Sequence, residues 1–140
     1  MNWIYRKKEI NDLQDFPKGA FGFIYEIKFN NGKKYLGYKF LYHNKKLKPL
    51  KGKKRARRKV VESDWLTYCG SIKDNEIKAK IKSGEIYPVK KDILKVCYHK
   101  KQLSYYEVKY LFIRNCLEKE EYYNSNILGK FFKKDTKNKI

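Results

Sequence analysis

The order of local signals along the chain predicts a small mixed α/β (α+β) domain: a β-hairpin, two helices, a third extended run and a longer helix. Three observations carry this. Phe21 to Phe29 and Lys33 to Phe40 are rich in aromatic and β-branched residues, and they flank Asn30-Asn31-Gly32, the strongest short-range hairpin signal a sequence offers. Ile77 and Ile81, and then Val108, Leu111, Phe112 and Cys116, recur at helical spacing. The length of 140 residues leaves room for one hydrophobic core and little more.

Element by element, residues 1 to 19 read as a lead-in, helical across Lys7 to Gln14 and closed by Pro17. The hairpin admits two registers. A two-residue turn at Asn31-Gly32 places Tyr25, Ile27, Phe29, Leu36 and Tyr38 on one face. A three-residue loop, Asn30 to Gly32 with Gly32 left-handed, places Tyr25 and Tyr35 together instead. Residues 45 to 59 contain ten Lys or Arg in fifteen positions, with Pro49 and Gly52 breaking any early helix. This run reads as a loop or arm, helical only in its last third.

Ser63-Asp64-Trp65 followed by Tyr68-Cys69-Gly70-Ser71 reads as a capped helical turn. A helix over Lys73 to Ser83 ends at Gly84, an extended run covers Lys91 to Tyr98, and the longest helix runs from Ser104 to about Leu117. The Lys-rich tail, Lys130 to Ile140, is expected to be loose at its end. The expected organisation is a lead-in (1–19), one domain (20–128) carrying the basic arm, and a basic tail (129–140).

The formal net charge is +20, from 35 Lys+Arg against 15 Asp+Glu, an excess that points to a polyanionic partner. With 13 Tyr and 8 Phe the chain is too aromatic for a disordered basic tail. No apolar run approaches the ~20 residues of a membrane span, and the start lacks the apolar core of a secretory signal. The expectation is a cytoplasmic protein with no membrane partner. Three widely spaced cysteines, Cys69, Cys97 and Cys116, argue for a reducing compartment, and His43 and His99 are not paired at metal-ligand spacing.

Phe23-Ile24-Tyr25, nine residues, then Tyr35-Leu36-Gly37 resembles the paired signature of the GIY-YIG nuclease superfamily. Trp65 to Ser71 is similar to the W-x-x-Y-x-G-S segment of phage-borne members, Glu107 within Glu-x-x-Tyr-Leu resembles the metal-binding glutamate, and Tyr123-Asn124 resembles a late Tyr-Asn pair. The resemblance covers about residues 20 to 128. It implies a three-stranded antiparallel sheet flanked by helices and Mg²⁺- or Mn²⁺-dependent hydrolysis of DNA phosphodiesters, with no small-molecule cofactor and, for a phage-encoded chain, the host cytoplasm as its place of action. Two departures stand out. Phe23 occupies the place of the first signature glycine, and the family's helical arginine has no unambiguous counterpart.

Phosphodiester hydrolysis needs an activated water, neutralised non-bridging oxygens and a stabilised leaving oxygen. On the resemblance, Glu107 anchors the metal and Tyr25, as phenolate in a cationic neighbourhood, takes the proton from water. Tyr35 positions water or phosphate, Arg57 or Arg58 clamps the charge, His43 is a second proton acceptor, and Asn124 donates to phosphate or supports the site. Lys39, Lys53, Lys54, Arg55, Arg57 and Arg58 are the expected DNA contacts. The local sequence offers plainer readings beside these. Tyr25 and Tyr35 can be sheet packing, Ser104-x-x-Glu107 is a capping box at a helix start, and Trp65 and Tyr68 read as core. The catalytic reading wants the three-residue loop or a bulge, and with the resemblance it implies a small metal-dependent endonuclease or nicking enzyme of phage or mobile-element, homing-endonuclease-like type. The alternative is a basic nucleic-acid-binding module that has lost cleavage.

Overall fold

The computed structural model describes residues 1–137; residues 138–140, the end of the tail expected to be loose, lie outside the described residues. Among the described residues the main sheet has five strands where three were expected, in the spatial order Lys8–Ile10 (β2), Trp3–Tyr5 (β1), Pro88–Cys97 (β7), Gly22–Phe29 (β3) and Lys34–Phe40 (β4). The two additional strands, β1 (Trp3–Tyr5) and β2 (Lys8–Ile10), come from the lead-in; β2 takes the place of the first part of the helix expected over Lys7 to Gln14, of which only a short 3-10 turn at Leu13–Asp15 forms. Their turn is the two residues Arg6 and Lys7, both at positive φ (49° and 68°), a conformation normally signalled by Asn or Gly. What holds it is burial. Trp3 is fully enclosed, donates from its indole nitrogen to the Trp65 carbonyl at 2.8 Å, and brings β1 into parallel pairing with β7 (Pro88–Cys97).

The next hairpin, β3 (Gly22–Phe29) and β4 (Lys34–Phe40), pairs Tyr25 with Gly37 and Ile27 with Tyr35. This is the register of the three-residue loop, with Gly32 at φ 83°, so Tyr25 and Tyr35 share a face. β3 lies between β7 and β4 with both of its faces covered, and for that reason it reads as a near-continuous apolar run. On one face Trp3, Phe23, Tyr25, Ile27 and Ile93 pack with Phe16, Trp65 and Ile77 and Ile81 of α1 (Asn75–Ser83). On the other, Ile24, Leu36 and Cys97 meet Leu103 and Leu111 of α2 (Lys100–Ile113). Phe23, where the signature glycine was missing, sits in regular strand with its ring 4.9 Å from that of Trp3.

The basic run is a loop over 48–56, as expected, but strand at both ends, and no part of it is helical. β5 (Tyr42–Leu47) and β6 (Arg57–Glu62) pair residue for residue as a separate two-stranded ribbon. The helix over Asn75–Ser83 is capped by Asp74, whose carboxylate accepts from the Glu76 and Ile77 amides, and ends at Gly84 with φ 85°. α2 starts four residues before Ser104, because His99 caps it, its Nδ1 accepting from the Gln102 amide at 3.2 Å. Ser104 and Glu107 therefore lie within the helix and form no capping box. After α2 the chain runs along the outer edge of β4, where the Lys34 amide donates to the Glu121 carbonyl and the Tyr123 amide to the Lys34 carbonyl. A small hairpin, β8 (Asn126–Ile127) and β9 (Phe131–Phe132), follows. Among the described residues no helix is long and apolar enough to cross a membrane.

Candidate active site

The shared face of Tyr25 and Tyr35 opens into a cavity of about 380 Å³, lined also by Gly37, Lys39, Tyr68, Ser71, Lys73 and Glu107. A smaller hollow of about 140 Å³ adjoins it along the edge of β4, sharing Tyr35, Lys73 and Glu107 and reaching Asn124. A larger concavity of about 670 Å³ beside residues 13–20 has Lys18 as its sole charged side chain and no acid, so the chemistry lies in the smaller pair.

Two glycines make room for the tyrosines. A Cβ on Gly37 would stand 2.7 Å from the Tyr25 hydroxyl, and one on Gly70 would stand 3.1 Å from the Tyr35 ring at a backbone φ of 103° that side chains resist. The Tyr-x-Gly and Tyr-x-Gly-Ser spacings are therefore packing requirements of the site. Tyr35 donates to the Ser71 carbonyl at 3.2 Å, and the Tyr68 and Ser71 hydroxyls are hydrogen-bonded to one another. The Tyr25 ring meets Tyr68 edge-on at 5.9 Å and Tyr35 at 6.2 Å. Its hydroxyl is fully buried and among the described residues meets no partner at hydrogen-bonding geometry, although the Tyr68 hydroxyl lies close enough to act on its ionisation.

Burial sets the ionisation of these groups. The Tyr25 phenol is held well above its ordinary pKa, first by desolvation and then by the negative forms of Tyr68, Tyr35 and Glu107 nearby. The Tyr35 phenol is raised too, again chiefly by burial. The expected phenolate at Tyr25 is thus disfavoured in the free protein, because loss of water outweighs the cationic surroundings. Glu107 is pushed up to about 7 by burial, and among the described residues no ion pair offsets this.

The cavity's cations are Lys39 and Lys73. Lys39 pairs with Asp64 at 2.6 Å and lies 4.0 Å from the Tyr68 ring centre, and its hydrogen bond holds the Asp64 carboxyl below the usual range. His43, Lys53, Lys54, Arg55, Arg57 and Arg58 belong to the ribbon and its tip, and none lines the cavity. Asn124 is buried with its amide engaged by the Leu36 backbone, donating to the carbonyl at 2.6 Å and accepting from the amide at 3.0 Å. It therefore clamps β4 beside Tyr35. Trp65 is core, whereas Tyr68, read with it as core, is half-buried at the cavity wall. Lys73 was not signalled at all, being one basic residue in a lysine-rich chain.

The donor set fits a hard divalent cation that keeps most of its waters: Glu107 is the sole acid of the cavity, and among the described residues no cluster of three or more His, Cys, Asp or Glu could hold a metal outright. A family model described as "Putative endonuclease segE, GIY-YIG domain" matches residues 3–127. No curated protein and no solved structure matches the chain. The family match runs from the first strand of the sheet to β8, so this chain belongs to the GIY-YIG endonuclease family typified by segE.

Proposed function

We propose that the protein is a metal-dependent endonuclease that nicks DNA at the cavity between β4 and α2. The observation that carries this reading is the buried Tyr25 hydroxyl, which among the described residues has only the Tyr68 hydroxyl close by, outside hydrogen-bonding geometry, and faces a cavity holding one acid and two lysines. A buried polar atom left unpaired costs stability. A phosphate oxygen or an attacking water is the partner that this cavity admits.

In this reading Glu107 would hold Mg²⁺ or Mn²⁺, which when bound would supply Lewis acidity toward the phosphate and a more acidic water. Lys39 and Lys73 draw the scissile phosphate into the cavity and offset the charge that develops on its non-bridging oxygens. The Tyr25 hydroxyl, neutral at rest, hydrogen-bonds and orients the water; it would act as base only as the phenolate, after releasing its own proton to solvent where positive charge in the loaded site favours that form. Tyr35 is held by Ser71 at the mouth and positions the phosphate. Asn124 fixes the strand edge that carries Tyr35. One site per chain cuts one strand at a time, so nicked circles should appear before linear DNA.

The deciding measurement is incubation of supercoiled plasmid with the protein and Mg²⁺ or Mn²⁺, beside Glu107→Ala. Nicked circles with the parent and none with the variant are expected. An inert parent that still binds DNA would leave the binding-module reading in place.

A further inference from the structure

The ribbon of β5 and β6 is the least supported element of the fold. Apart from Leu47 and Val61, which are half-buried, every residue of its two strands is exposed. Its register sets Lys45 opposite Lys59 and Lys46 opposite Arg58, like charges facing each other on both sides of the ribbon. Directly opposed like charges destabilise a strand pair. From Tyr42 to Glu62 the only acid is Glu62, and among the described residues no ion pair relieves the ribbon's lysines or arginines. A polyanion placed along it removes that repulsion.

The two faces differ. One carries Tyr42, Asn44, Lys46, Arg58, Val60 and Glu62, all exposed, with Val60 at 65%. The other contains the half-buried Leu47 and Val61. Asn44 lies opposite Val60 and Lys46 opposite Arg58, so the open face presents a planar amide, a guanidinium and a bare aliphatic side chain side by side. These are the groups that pair with adenine, pair with guanine and touch a thymine methyl in the major groove, and a two-stranded ribbon is one of the shapes that groove admits.

The ribbon also grows from the lip of the cavity. Lys39, before its first strand, and Tyr68 and Ser71, after its second, line the cavity. Its base is pinned there by the Ser63 amide donating to the Leu41 carbonyl at 2.9 Å and the Ser63 hydroxyl to the Phe40 carbonyl at 2.6 Å. Six residues of strand reach about 20 Å, or about six base pairs of duplex.

We propose that the open face of the ribbon, Asn44, Lys46, Arg58 and Val60, lies in the major groove of duplex DNA and reads bases within about six base pairs of the cut. The lysines of the opposite face and tip, including Lys45, Lys53, Lys54 and Lys59, meet phosphates. The inference rests on the nuclease reading for the position of the cut, but not for the binding itself.

The test takes the full chain with a pool of random-sequence 30-base-pair duplexes, selecting bound molecules and mapping nicks in parallel. The parent should enrich particular bases on one side of the nick. Asn44→Ala and Arg58→Ala should each erase the preference at one fixed position, with a loss of about 5- to 150-fold on the selected sequence and little on the pool. Lys45→Ala and Lys59→Ala should weaken all sequences alike. The DNA can be altered instead of the protein: 7-deazaguanine at an enriched guanine removes its N7 acceptor and should cost the same preference. Enrichment without any nicking would sink the nuclease reading and leave this one standing. Nicking with no base preference, or preferences that survive both Asn44→Ala and Arg58→Ala, overturns it. So does equal competition by duplex RNA, whose narrow major groove side chains do not reach.

Discussion

The molecule holds two antiparallel hairpins in immediate succession, and they are built on opposite principles. The pair β3–β4 begins in the centre of the sheet, packs aromatic and aliphatic side chains on both faces, and turns in three residues. The pair β5–β6 stands outside the sheet, sets like charges opposite each other, and turns through the nine residues 48–56. The first is held by burial and can keep a phenol dry and a carboxyl near neutrality. The second is held mainly by its backbone ladder and can do neither, but it offers charge at full exposure. Perturbed acid-base chemistry needs desolvation, whereas phosphate attraction needs only accessible charge. On the proposed function, the chain would separate these two tasks by burying one hairpin and leaving the next one bare.

The sharpest way to break this division is at Glu107. Glu107→Gln should lower nicking on the order of 10³-fold with DNA affinity unchanged or slightly raised, as measured by plasmid relaxation and by a binding titration. The same residue has a pH signature. Its folded pKa of about 7 lies above its ordinary 4.5, so the folded state retains a proton that the unfolded chain releases. Stability without metal should therefore fall as pH rises from about 4.5 to about 7, and Glu107→Gln should remove that decline in a series of melting curves. If Glu107 holds the metal as proposed, nicking should rise as pH passes about 7, since only the ionised carboxylate would bind it.

Tyr25→Phe comes next, with two readouts that a packing role cannot reproduce together. Activity should drop on the order of 10²-fold. Stability should stay level or rise, because the hydroxyl removed has no well-formed hydrogen bond among the described residues. A stable variant with parental turnover would show that Tyr25 is only core. Gly37→Ala tests the seat beneath it: a Cβ 2.7 Å from the Tyr25 hydroxyl forces a rearrangement costing about 1–3 kcal/mol, read as a lowered melting temperature together with lost activity.

The smallest expected effect is on the other hairpin and has opposite signs in two assays. Replacing Lys45 and Lys59 by Gln relieves one like-charged pair, stabilising the protein by about 0.2–1 kcal/mol. It should also flatten the dependence of log affinity on log salt by ~0.9 for each phosphate that the ribbon no longer neutralises. A lower melting temperature with an unchanged slope would mean that the ribbon is held by its lysines and does not spend them on DNA.

Much of the site was legible because it lies in short range. The Asn-Gly turn, the tyrosine spacings of the hairpin and the Tyr-x-Gly-Ser segment are local patterns, and they bring Tyr25, Tyr35, Gly37, Tyr68 and Ser71 into one cavity. Glu107 was legible only through family resemblance, since its neighbours alone read as a capping box, and His99 displaces that reading by starting the helix earlier. Lys73 carried no signal because a cavity lysine and a surface lysine look alike in a chain with 35 basic residues.

What the sequence by itself determined is the class of the domain, its polyanionic partner and the hairpin whose turn chemistry admits few registers. The tertiary structure alone decided the rest. The lead-in became two strands through the burial of Trp3, against a turn at Arg6-Lys7 that local preference disfavours. The basic run became a ribbon, although lysines neither alternate in hydrophobicity nor favour strands, because its two ends are fixed a strand's width apart by Leu41 and Ser63. Local preferences of this kind are worth tenths of a kcal/mol to about 1 kcal/mol per residue, and a buried tryptophan or a clamped strand end outweighs them.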